Sequence, residues 1–116
     1  MESTESRLQI ARLPEPRPLQ KDVFVRDVVG SQSPARSVRG LEVSDLEFSG
    51  TEEVSIRRPC GIGRRDISYV LSGSGSVDGL SVSSGEGVLT EDVPTVEVRG
   101  SAGFRVVTAT VPGTLR

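Results

Sequence analysis

Glycine interrupts this sequence about once every ten residues, beginning with Gly30, Gly40 and Gly50 and continuing to Gly113. The segments between the glycines are short and apolar, with 17 valines but only four alanines in the chain. Valine favours the extended strand because its β-branch restricts χ1. No apolar stripe with a period of 3.6 residues persists for three turns. The pattern therefore predicts an all-β chain, folded as a sandwich or barrel of short antiparallel strands.

Eight strands are predicted, at residues 22–29, 38–48, 53–58, 66–72, 76–83, 87–90, 95–99 and 104–111. Within 76–83, Asp78-Gly79 is the dipeptide that best accommodates two positive φ angles, so this segment is predicted to be a tight hairpin. The apolar residues of 38–48 change parity, which predicts a bulge at Ser44-Asp45. Alternation along 66–72 places Asp66 and Ser68 on one face and Ile67, Tyr69 and Leu71 on the other.

The N-terminal segment differs from the rest in composition. Pro14, Pro16 and Pro18 stand at alternate positions behind a polar start, a spacing that favours extended backbone and prevents helix. We interpret residues 1–20 as an extended or disordered Pro-rich arm and residues 21–116 as one β-barrel domain. The arm is either a frayed tail or a segment that lies on a partner subunit or a sheet edge.

The chain contains no histidine and one cysteine, Cys60, and its formal net charge is -2. Without imidazole, no histidine-based metal site and no Ser-His or Cys-His nucleophile pair can form. A net negative charge with only 3% aromatic residues argues against nucleic-acid binding. No signal-peptide pattern and no long apolar run is present, and a single cysteine fits a reducing compartment. We expect a cytoplasmic protein with no nucleic-acid or membrane partner.

Two motifs lie within residues 59–112: DISYVLSGSG begins at Asp66, and GEGVLTEDVP begins at Gly85. In order and spacing they resemble the two motifs of the cupin superfamily, and they are most similar to metal-free halves such as the second domain of pirin-like and quercetinase-like proteins. The resemblance implies an RmlC-like jelly-roll barrel of about eight antiparallel strands, with the Pro-rich arm preceding it.

Cupins that bind a metal carry two histidines before the acidic residue of the first motif and another histidine in the second. By this resemblance, the corresponding positions here hold Cys60, Ile62 and a residue near Arg99. Among the positions that match the family's metal ligands, only Asp66 and Cys60 could contact a metal. Two mixed ligands do not make a site for first-row metals. We therefore expect no metal, no cofactor and no oxygenase chemistry.

Asp66 is the weak candidate for a catalytic residue. A carboxylate inside a barrel could act as a general base, or it could form a structural ion pair with an arginine. Cys60 is either a thiol activated by neighbouring arginines or a small buried filler. Neither residue has a histidine to act with.

The arginines around the loop 59–63 are the candidates for ligand contacts, since this loop lies near the barrel mouth in a cupin. Guanidinium groups there could bind a carboxylate or phosphate, or they could belong to a solvated loop balanced by acidic neighbours. The candidate ligand-binding residues are Asp66, Ser68, Arg64, Arg65 and Arg57.

Three functions remain open from the sequence. The first is metal-independent binding of a small molecule, for which an anionic metabolite is one candidate, in the barrel and without redox chemistry. The second is a metal-free isomerase, epimerase, cyclase or lyase that acts on a small metabolite by orientation and electrostatics. The third is a structural or regulatory homo-oligomer. A homodimer is expected from the resemblance.

Overall fold

The computed structural model describes residues 14–29 and 41–112. Its regular elements within these ranges are ten strands: β1 (Arg17–Gln20), β2 (Val23–Val29), β3 (Glu42–Phe48), β4 (Val54–Pro59), β5 (Arg64–Ser72), β6 (Ser74–Val77), β7 (Leu80–Ser83), β8 (Gly87–Glu91), β9 (Thr95–Gly100) and β10 (Arg105–Pro112). Among the described residues there is no helix long and apolar enough to cross a membrane.

The strands form two antiparallel sheets. The larger sheet has the order β1-β2-β3-β10-β5-β8, and the smaller has the order β4-β9-β6-β7. Buried residues of both sheets belong to one hydrophobic cluster, so the two sheets pack face to face. The predicted all-β jelly roll is confirmed.

The structure has more strands than the eight expected. The hairpin at 76–83 divides into β6 and β7, and residues 17–20 of the Pro-rich arm form β1, which pairs with β2 at the edge of the larger sheet. The rest of the arm through residue 13, and residues 38–40 of the second predicted strand, lie outside the described residues.

The predicted bulge at Ser44-Asp45 is wrong. Strand β3 pairs with β10 without interruption from Glu42 to Glu47. The irregularity lies instead on the neighbouring strand β2, between Asp27 and Val29. Apolar residues change parity in β3 because Leu46 and Phe48 face the core, whereas Val43 belongs to the opposite face.

The predicted hairpin is confirmed. Asp78 and Gly79 adopt φ angles of 48° and 82°, and the residues on either side of them, Val77 and Leu80, pair directly. Two successive positive φ angles match the right-handed twist of the flanking strands, which is why Asp-Gly is favoured at this position.

One end of the barrel is filled by apolar side chains, and we call it the apolar end. The rings of Phe48 and Phe104 pack there with centroids 5.5 Å apart. Phe104 lies directly against Gly100 and Gly75, which are paired across β9 and β6, and a Cβ atom at either glycine would collide with its ring. The two glycines therefore make room for one of the two phenylalanine rings of the core.

The inner face of the larger sheet changes chemistry along its length. Three cross-strand pairs of β5 and β10 follow one another: Val70 with Val106, Ser68 with Thr108, and Asp66 with Thr110. All six side chains are buried. The end of the barrel at Asp66 and Thr110 is thus lined by polar groups, and we call it the mouth.

Candidate functional site

The mouth of the barrel contains a buried ion pair between Arg58 and Asp66. Asp66 lies on the inner face of β5 and has no exposed surface, while the side chain of Arg58 on β4 is 12% exposed. Nη2 of Arg58 donates to Oδ1 of Asp66 at 2.7 Å, and Nη1 donates to Oδ2 at 3.1 Å. This two-pronged geometry holds the guanidinium in one orientation.

Two hydroxyl groups complete the surroundings of the Asp66 carboxylate. Thr110 donates to Oδ1 at 3.0 Å, and Ser68 donates to Oδ2 at 3.3 Å. The Thr110 hydroxyl also accepts from Nη2 of Arg58 at 3.4 Å. Each carboxylate oxygen therefore accepts two hydrogen bonds, as a buried charge requires.

A cavity of about 150 Å³ opens above this pair. Its volume is close to that of an engineered cavity known to hold benzene, and smaller than the sites that bind drug-sized ligands. The lining combines two arginines, two carboxylates, two hydroxyl residues and four apolar residues: Arg17, Arg58, Asp27, Glu42, Ser44, Thr110, Leu19, Val25, Leu46 and Pro59. The lining has as many arginines as carboxylates, and Asp66 beneath Arg58 adds a third carboxylate to the mouth.

The rim of the cavity is tied together by a second, more exposed pair. Arg17 on β1 donates to Asp27 on β2 at 3.2 Å, and the Ser44 hydroxyl donates to the same carboxylate at 3.4 Å. Arg17 is a residue of the Pro-rich arm, so one segment of the predicted arm forms part of the cavity wall.

A larger depression, of about 830 Å³, lies on the outer face of the smaller sheet. It is broad and open to solvent, and its lining is mostly serine and glycine with exposed charges such as Glu53 and Arg99. No buried charged group faces it among its lining residues. We therefore place the candidate site at the mouth, where charged groups are buried and converge.

Of the sequence candidates, the structure brings Asp66 and Ser68 together at the mouth. Arg57 is exposed on the outer face of β4, and Arg65 pairs with Glu91 on the outer face of the larger sheet at 2.8 Å. Arg64 lies against Gly61 in the turn that follows β4. A ligand contact by Arg57, Arg64 or Arg65 stays a prediction.

Arg58 is one of the arginines around the loop 59–63, but the candidate ligand-binding residues do not include it, although strand alternation indicates it. Val54 and Ile56 share one face of β4, and strict alternation places Arg58 next on that face. The alternative that Asp66 pairs with an arginine is the one that the structure contains. Thr110 carried no sequence signal, because its contact with Asp66 joins residues 44 positions apart.

The residues at the mouth do not fit a cupin metal centre. Among the described residues, no group of three or more His, Cys, Asp and Glu side chains could hold a metal ion. Of the positions matched to the family's ligands, Ile62 is 78% exposed, and the side chain of Arg99 is about half exposed. Cys60 is buried, and its Sγ lies 3.8 Å from the carbonyl oxygens of Gly61 and Arg64.

Comparison with solved structures decides the type of fold. The chain superposes with a TM-score of 0.71 on quercetin 2,3-dioxygenase from Acinetobacter baumannii, at 18% identity, over 89% of this chain and 34% of the dioxygenase. It also matches an RmlC-like cupin from Shewanella frigidimarina with a TM-score of 0.60 and 13% identity, over 86% of this chain and 85% of that one. The chain has the cupin fold.

A third cupin-fold match is KdgF from Halomonas sp., with a TM-score of 0.60 and 11% identity over 85% of this chain and 86% of KdgF. The chain spans about a third of the dioxygenase's length, and identities this low establish the fold alone. No family model and no curated protein matches the sequence. The resemblance seen in the two sequence motifs is confirmed as a resemblance of fold.

Proposed function

We propose that this cupin-fold protein binds a small polar molecule at the mouth of its barrel, without a metal ion and without redox chemistry. The observation that carries the proposal is a cavity of benzene size above a buried Arg58–Asp66 pair. A few convergent polar groups in a partly apolar cavity are typical of small-molecule sites.

The lining favours a ligand that carries both acceptor and donor groups. A guanidinium has five N–H groups, and Asp66 and Thr110 account for three hydrogen bonds from Arg58, so this side chain can also donate to a ligand oxygen. Asp27 and Glu42 can accept from a ligand hydroxyl or ammonium group. Because both arginines are already paired, Arg17 with Asp27 and Arg58 with Asp66, a zwitterionic amino acid or a neutral polyol suits the cavity better than a multiply charged anion.

The surroundings of Asp66 favour a binding role for the mouth over a reaction catalysed by Asp66. A general base must reach the proton that it abstracts. Both oxygens of Asp66 already accept hydrogen bonds from Arg58, Ser68 and Thr110, and the side chain has almost no exposed surface. We assign Asp66 the role of holding Arg58 in place under the ligand.

The experiment is a thermal-shift titration with glycolate, lactate, glycine, alanine and glycerol, followed by NMR mapping of any compound that stabilises the protein. A benzene-sized ligand makes few contacts, so millimolar concentrations are used. We expect at least one amino acid or glycerol to stabilise the chain and to shift signals of residues lining the mouth.

The matched variants are Thr110→Val and Thr108→Val, two isosteric changes on the same inner face of β10. Only Thr110 lines the cavity. Each ligand-induced shift is measured against the variant's own unliganded melting temperature. We expect Thr110→Val to weaken binding and Thr108→Val to leave it unchanged. Equal binding by both variants, or no binding of any compound, would refute the proposal.

A further inference from the structure

Glu42 is a charged group of the mouth that stands without a cation. It begins β3 and alternates with Ser44 and Leu46 on the inner face of that strand, and all three residues line the cavity. Among the residues that the structure describes, no ion pair or side-chain hydrogen bond involves the Glu42 carboxylate. Both of its oxygens are therefore available to accept hydrogen bonds from a molecule in the cavity.

The two arginines of the cavity lining are paired with other carboxylates. Arg17 contacts Asp27 at 3.2 Å, and Arg58 forms its two-pronged contact with Asp66. Two arginines thus face three carboxylates, and the mouth carries a net charge of -1. Because Glu42 supplies the unbalanced charge, the mouth attracts a cation and repels an anion.

Thr110 lies next to both Glu42 and Arg58. It is paired directly with Glu42 across β3 and β10, so their Cα atoms are about 5 Å apart. Its hydroxyl lies 3.4 Å from Nη2 of Arg58. A ligand in this cavity meets a carboxylate that only accepts hydrogen bonds and, close by, a guanidinium that only donates them.

The remainder of the cavity limits the size and polarity of such a ligand. A volume of about 150 Å³ holds a molecule the size of benzene, which has about six non-hydrogen atoms. The apolar part of the lining consists of Leu19, Val25, Leu46 and Pro59. These side chains suit a short aliphatic chain between the two polar ends of the ligand.

We propose that Glu42 selects a ligand with an ammonium group, and that the ligand class of the mouth is short amino alcohols. The ammonium donates to Glu42, and the hydroxyl oxygen accepts from an N–H group of Arg58 that Asp66 and Thr110 leave free. A bound amino alcohol neutralises the mouth, whereas a zwitterionic amino acid leaves its net charge unchanged and a hydroxy acid increases it. This inference rests on the proposed function and assigns the residue that determines its specificity.

The test is an NMR titration of the full chain at neutral pH with three compounds of equal carbon number. They are 3-amino-1-propanol, 1,3-propanediol and 3-hydroxypropionate, which are a cation, a neutral molecule and an anion at this pH. We expect 3-amino-1-propanol to bind about fivefold more tightly than 1,3-propanediol, as an accessible ion pair allows, and 3-hydroxypropionate to bind most weakly.

The decisive variant is Glu42→Gln, which removes the charge and keeps the size of the side chain. We expect it to weaken binding of 3-amino-1-propanol about fivefold and to change binding of 1,3-propanediol by less than about twofold. The matched control is Glu47→Gln. Glu47 is also exposed on β3, but it lies on the opposite face, outside the cavity lining. We expect this variant to bind all three compounds as the unmodified chain does.

A second measurement uses ionic strength. In 1 M salt the Debye length falls to about 3 Å, and an ion pair with the exposed Glu42 is screened. We expect salt to weaken binding of 3-amino-1-propanol and to leave binding of 1,3-propanediol unchanged. A preference for the amine that persists in 1 M salt would contradict the proposed ion pair.

The outcomes separate this inference from the proposed function. If 1,3-propanediol binds as tightly as 3-amino-1-propanol, or if Glu42→Gln and Glu47→Gln have equal effects, the role of Glu42 is overturned while binding at the mouth stands. If none of the three compounds binds, the proposed function and the inference both fail.

Discussion

The two ends of the barrel are built on the same pair of strands but are stabilised differently. At the apolar end, the paired residues Val70 and Val106 belong to the same hydrophobic cluster as Phe48 and Phe104. At the mouth, the same inner face carries polar groups that are buried just as deeply. Apolar packing tolerates a range of side chains of similar volume, whereas a buried charge requires a specific partner.

This difference indicates what each end contributes. The apolar end supplies burial energy that is roughly proportional to area and holds the sheets together. The mouth contributes orientation, because Arg58, Asp66 and Thr110 satisfy one another only in one arrangement. A buried ion pair often contributes little net stability, because desolvation of the two charges offsets their attraction. The Arg58–Asp66 pair is therefore better explained by a role in function.

The largest expected effect tests the mouth. Arg58→Met leaves Asp66 buried without its cation, and we expect a loss of about 3–5 kcal/mol in the free energy of unfolding. Arg57→Met is the matched control, since Arg57 is the adjacent arginine and is exposed on the outer face. We expect it to change stability by less than about 0.5 kcal/mol. Urea unfolding measures both, and equal losses would contradict the assigned roles.

The double variant Arg58→Met with Asp66→Leu tests the cause of that loss. When both charges are replaced by apolar groups, no buried charge is left uncompensated, and we expect most of the stability to return. Ligand binding should not return, because the donors of Arg58 are absent. A double variant as unstable as Arg58→Met alone would show that the loss has another origin.

An intermediate effect tests the apolar end. Gly100→Ala adds a methyl group where the ring of Phe104 already lies, and we expect it to destabilise the fold by about 1–3 kcal/mol. The added methyl group causes a steric clash and leaves no charge unpaired. Combining Gly100→Ala with the smaller side chain of Phe104→Leu should therefore reduce the loss of stability. Additive losses in the combined variant would contradict direct contact between Gly100 and the ring.

The smallest expected effect lies outside both ends. The hydrogen bond and the charge of Asp45 raise the pKa of Arg105, but the Arg105 side chain is about half exposed. We expect Asp45→Asn to cost less than about 1 kcal/mol by urea unfolding. Because the pKa of Arg105 is raised in the fold, the protonated side chain stabilises the fold below that pKa, and the contribution is lost only in strong alkali. The loss of stability in Asp45→Asn should therefore be constant across neutral pH.

Local patterns predicted much of the fold. Valine-rich segments between glycines indicated an all-β chain, Asp78-Gly79 indicated its hairpin, and the motif beginning at Asp66 indicated a cupin barrel. These predictions succeeded because turn chemistry and alternation act over a few residues. The predicted bulge failed because parity was interpreted without knowing that Val43 and Leu46 face opposite sides of the sheet.

By itself, the sequence determined the class of fold, the absence of imidazole chemistry and the two faces of β5. Only the tertiary structure decided which face of β5 is inside, since alternation is symmetric and the more apolar face is the exposed one. It also decided that Arg58 is the partner of Asp66 and that Thr110 completes the pair. These contacts join separate strands, and their geometry depends on sheet pairing that no local pattern contains.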